Sequence, residues 1–61
     1  MITEKFANKI KGYMKKMYYL PNVDKVDDKT FASMIKEDYE VHTDEEAWDV
    51  IDYEYLLIYF E

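Results

Sequence analysis

Sixty-one residues carry 14 carboxylates against eight lysines, for a net charge of −6, with 49% apolar residues and neither cysteine nor arginine. That is enough apolar side chain for one small domain over residues 1–61 and too little for two, since a core needs roughly 50 residues to close. A disulfide scaffold, a cysteine-based zinc module and, with a single glycine, a glycine-rich phosphate loop are excluded.

The first element is expected over about residues 3–18. Ile2, Phe6, Ile10, Tyr13, Met14 and Met17 recur at three- and four-residue spacing, the period of one helical face. Lys5, Lys9 and Lys16 flank that face on one side, Lys11 and Lys15 on the other, and Gly12 falls on the solvent side. Pro21 then breaks the pattern, removing a donor and pushing Leu20 toward extended backbone. Asp27 or Asp28 can cap a second helix near 28–39, whose apolar side is Phe31, Ala32, Met34, Ile35 and Tyr39.

Thr43-Asp44-Glu45-Glu46 matches a capping box, with a hydroxyl at the N-cap and a glutamate three residues on. A third helix is therefore expected over 43–58, with Ala47, Trp48, Ile51, Tyr55 and Ile58 inward and Glu45, Asp49 and Asp52 outward. From Tyr53 onward the residues are apolar all round, so a C-terminal strand at 53–60 is the alternative for the tail. The expected fold class is all-α, a small three-helix domain.

Charge is strongly polarised along the chain. Residues 1–20 hold five lysines and one acid, whereas residues 37–61 hold ten acids and no lysine. One reading is neutralisation, with the basic first helix laid beside the acidic third; surface pairs of this kind contribute roughly 0–1 kcal/mol each. The other is a surface that imitates nucleic acid. On one helix, Glu45, Asp49 and Asp52 would stand at i, i+4 and i+7, about 6 and 4.5 Å apart along the axis. Glu37, Asp38 and Glu40 would extend the track. A DNA-binding protein that pairs lysines with phosphates would receive these carboxylates in the same groove. Direct nucleic-acid binding by this chain is not expected, given its net charge and the absence of arginine for base contacts.

No catalytic, cofactor or metal site is expected. Asp24, Asp27 and Asp28 lack the glycine and closing glutamate of a calcium loop, and His42 and Ser33 each stand alone of their kind. Trp48 could serve as a partner hot spot, but its stripe with Ile51 and Tyr55 favours the core, and Met14, Met17 and Met34 read as core filling. No run approaches the ~18 apolar residues of a membrane span. The first residues turn polar at once, unlike a secretory leader. The expectation is a cytoplasmic, non-enzymatic protein.

In size, acidity and lack of enzyme motifs the chain resembles the short acidic host-takeover proteins of lytic phages of Gram-positive bacteria. Several of these are DNA mimics that occupy nucleic-acid sites on host proteins such as the nucleoid protein HU. The stretch from Phe31-Ala32 through Glu37-Asp38 to Ile51 is similar to the YozE SAM-like helical family. The first resemblance implies a protein acting, if phage-encoded, in the host cytoplasm on a basic DNA-binding partner; the second implies a small all-helical fold and leaves function open. The competing expectation is an interaction module that binds through the apolar tail Tyr53–Phe60. On the three-helix reading Leu56, Leu57 and Phe60 stay uncovered, so a homodimer joined through them is expected as well.

Overall fold

The computed structural model describes residues 1–60; Glu61, one of the ten acids of the C-terminal segment, lies outside them. All regular structure among the described residues is helical, in the order α1 (Glu4–Tyr18), a 3-10 turn (Pro21–Lys25), α2 (Asp28–Tyr39), α3 (Asp44–Val50), α4 (Tyr53–Leu56) and a second 3-10 turn (Leu57–Tyr59). The chain is a small all-α domain, and its tail is not a strand.

Each helix starts where a short polar side chain takes up an orphan N–H of the first turn. Thr3 accepts from Phe6 N–H at 3.0 Å, Asp27 from Thr30 N–H at 2.7 Å, and Thr43 from Glu46 N–H at 3.2 Å. Asp27 is thus the cap of α2, and Asp28 is free for another task. Its carboxylate receives Lys11 Nζ at 2.9 Å, and the same amine donates to the carbonyl of Val26. Lys11, expected on a flank, is instead 6% exposed and ties α1 to the start of α2. α1 and α2 each end on a left-handed residue, Tyr19 at φ 55° and Glu40 at φ 52°.

α1 lies against α2 with Phe6, Ala7, Ile10 and Met14 inward, while α2 supplies Phe31, Ala32 and Ile35. Val23, from the turn that Pro21 opens, closes one end of this layer and is fully buried. The buried stripe of α1 is narrower than its apolar spacing suggested: Tyr13 and Met17 stand at its edge, exposed.

The third expected helix is corrected. It does not run over 43–58 but stops at Val50, because Ile51 and Asp52 are extended, at ψ 131° and 111°. Two β-branched residues, Val50 and Ile51, weaken the helix there. Asp52 then turns its carboxylate onto Glu54 N–H at 3.0 Å and caps a new turn. The backbone freed by the break is met by one side chain, since Tyr39 Oη accepts from Asp52 N–H and donates to Asp52 C=O, each at 3.3 Å. The bend redirects the tail inward. Leu56 becomes fully buried and Phe60 packs edge-on to Phe31 with ring centroids 5.4 Å apart, while Tyr55 and Ile58, expected inside, face solvent.

Candidate functional site: an acidic surface with an aromatic groove

The six carboxylates singled out from the sequence are all exposed, but they do not form one helical track. Glu37 and Asp38 sit on the last turn of α2 and Glu40 is its left-handed cap. Glu45 and Asp49 share α3 one turn apart, and Asp52 lies beyond the break. The expected Glu45–Asp49–Asp52 row is therefore corrected to a pair. Asp52 and Asp38 also have structural work, the first capping α4 and the second accepting the hydroxyl of Tyr59. Glu46 and Glu54, which helical spacing did not single out, are exposed in the same region.

The expected neutralisation across the α1–α3 seam is not how the lysines are used. The two ion pairs among the described residues are Lys11–Asp28 at 2.9 Å and Lys15–Asp24 at 2.6 Å. Both draw their acid from the middle of the chain. The carboxylates from Glu37 to Glu54 thus have no lysine partner among the described residues, and all of them but the half-buried Asp44 are exposed.

Beside Glu45 and Asp49 an open groove runs between α3 and α1, lined by Phe6, Lys9, Asp44 and Trp48. Trp48, expected in the core, is 49% exposed. The physical reason is the shortness of α3. Its one buried residue is Ala47, whose small side chain lets the helix sit close to its neighbours, and the next residue, about 100° further round, is left at the edge. Phe6 meets the Trp48 ring edge-on at 6.2 Å, Tyr13 lies 6.2 Å away, and Lys9 Nζ stands 4.9 Å above the ring centre. No spacing rule links Lys9 to Trp48; only the packing of α3 on α1 brings them together.

The titrations that move follow burial and hydrogen bonding. Hydrogen bonds from Thr30 hold the Asp27 carboxyl below the ordinary range. Partial burial pushes the Tyr39 hydroxyl up, against the hydrogen bond to Asp52 and with the Asp52 charge. Burial, with Tyr13 and Tyr18 nearby, raises Tyr53. None of these groups converges on a cleft. No described group of three or more His, Asp or Glu is placed to hold a metal ion, and no described helix is long and apolar enough to cross a membrane.

The tail residues expected to join two copies are used within the chain: Leu56 and Phe60 are buried in the core and Leu57 is half-buried. The reason for expecting a homodimer through them is thereby removed, and of the tail proposed as an apolar binding surface Tyr55 and Ile58 remain exposed. No known protein family matches the chain, and neither a curated protein nor a solved structure shows detectable similarity to it.

Proposed function

We propose that this protein is a non-enzymatic binding protein whose acidic face, from Glu37 to Glu54, occupies the nucleic-acid-binding surface of a basic protein. One observation carries the reading: that stretch presents every carboxylate but Asp44 to solvent, with no described lysine paired to any of them, although the chain holds eight lysines. Unneutralised charge of one sign on one region raises association rates and selects partners of the opposite sign. Glu45 and Asp49 on α3, with Glu37 and Glu40 at the end of α2, are free to meet such a partner, their side chains having no hydrogen bond among the described residues.

The test is capture of basic proteins from the heparin-binding fraction of a bacterial lysate, with the protein immobilised. Capture is expected at low salt, to fall steeply as the Debye length shrinks to about 8 Å at physiological ionic strength, and to be reversed by duplex DNA. Glu45→Lys with Asp49→Lys should abolish it without loss of helical circular dichroism. Capture that duplex DNA does not reverse, or that survives the double charge reversal, overturns the reading. So does a gel shift in which the protein alone retards DNA at physiological salt.

A further inference from the structure

The groove between α1 and α3 has a feature that acidity alone does not supply. Trp48 is a large, half-exposed aromatic surface held in place by Phe6 and Tyr13. Its groove also contains Glu45 and Asp49, and a cation, Lys9 Nζ, already stands over the ring. Lys9 is solvent-exposed and belongs to neither described ion pair, so its amine is free to swing away.

Resting on the proposed acidic docking face, we infer that Trp48 is its anchor point and takes one arginine side chain of the basic partner, displacing Lys9. The chemistry is complementary at each contact. A guanidinium stacks on an indole face and is more weakly hydrated than an ammonium, so it gives up less water on entering than Lys9 regains on leaving. Glu45 and Asp49 offer carboxylates to the guanidinium edge, which donates in a planar fork. A half-exposed tryptophan with a charged rim, meeting an arginine, also pairs the residue types enriched in interface hot spots. Lys9 then acts as an internal competitor: while the partner is absent it covers the indole face, and removing it should expose the anchor.

The probe is fluorescein-labelled octa-arginine, followed by fluorescence anisotropy at low and at physiological ionic strength, with octa-lysine and every variant compared at matched salt. The wild-type chain should bind octa-arginine more tightly than octa-lysine. Trp48→Ala should weaken octa-arginine about five- to tenfold, and Trp48→Phe, which keeps an aromatic face, by less. Lys9→Gln should tighten binding about two- to fivefold. Lys16→Gln, which changes net charge equally from the same helix, should tighten it less than twofold. If Lys9→Gln and Lys16→Gln act alike and Trp48→Phe and Trp48→Ala bind as wild type, the anchor is wrong while the acidic face stands. Absence of salt-sensitive binding by the wild-type chain removes the acidic face and the anchor with it. Should Trp48→Ala lose its helical spectrum, Trp48→Phe and the two lysine variants decide the matter.

Discussion

Asp44 grips Thr3 with both carboxylate oxygens, one accepting the backbone N–H at 2.9 Å and the other the hydroxyl at 2.8 Å. The same hydroxyl caps α1 by accepting Phe6 N–H, and Asp44 is the first residue of α3. Two helix starts far apart in sequence are thus fastened to each other, which fixes α3 beside α1 and places Trp48 over Phe6.

This fastening predicts coupling. Thr3→Val removes the cap and one of the two bonds, and should cost about 1–2 kcal/mol in urea unfolding. Asp44→Ala leaves the cap but frees α3. The double variant should lose less than the sum, by about 1 kcal/mol, because the two residues share one interaction. Additive losses would show that the helix starts are independent.

The break between α3 and α4 should depend on Tyr39. Tyr39→Phe removes the hydroxyl that serves both backbone groups of Asp52 and should destabilise by about 0.5–1.5 kcal/mol, with faster amide exchange at Asp52. The wild-type tyrosine titrates above its ordinary value, so its folded form prefers the proton. The stability linked to that preference is present below about pH 10 and is lost as pH rises through the raised value. The Phe variant should lose less stability over that alkaline range in paired thermal melts, the raised Tyr53 remaining in both.

Acid acts on the opposite end of α2. Asp27 titrates below the ordinary carboxylate range because Thr30 donates to its charged form. The cap therefore contributes fully above about pH 4 and fades as pH falls through the depressed value. Asp27→Asn keeps a capping oxygen without the charge. The wild type should be the more stable at neutral pH, with the difference closing under acid in paired thermal melts at pH 7 and pH 2.

Leu56 is the strongest test of the inward turn of the tail. Leu56→Ala should cost about 2–5 kcal/mol, a large part of the roughly 3–9 kcal/mol a chain of this size has. Leu57→Ala, at a half-buried position, should cost clearly less. The unfolding midpoint of the wild type should not move with protein concentration, since the tail is covered by its own chain.

Tyr19 holds a left-handed backbone with its side chain in solvent, where glycine is the favoured helix-terminating residue. Tyr19→Gly should stabilise by about 0.5–1 kcal/mol, the relief of left-handed strain exceeding the entropy cost of glycine. A lower melting temperature would mean that the ring contributes packing.

Helix ends were legible where a single residue was singled out for them: Pro21 and Thr43 act as their chemistry suggests, and Asp27, one of two candidates, caps α2, whereas the cap at Thr3 was not singled out. The inward set Phe6, Ile10, Phe31 and Ile35 followed from helical spacing alone. What spacing misjudged was the third helix, because the competing pull of Asp52 on Glu54 is local and the support from Tyr39 comes from another element. The Glu45–Asp49–Asp52 row failed for the same reason. The Trp48 groove was not legible, since α3 reaches the core through Ala47 and which of its neighbours is left at the edge depends on how the short helix seats on the rest of the fold.

Lys11 stands apart from the other seven lysines, all of which are exposed. An amine-reactive reagent reaches those seven in the folded chain, but it reaches Lys11 only when α1 parts from the start of α2. The labelling rate at this one position is therefore a chronometer of opening, readable by mass spectrometry without any substitution. Under conditions where reclosing outpaces the reagent, the ratio of its rate to that of a surface lysine gives the equilibrium fraction of open molecules.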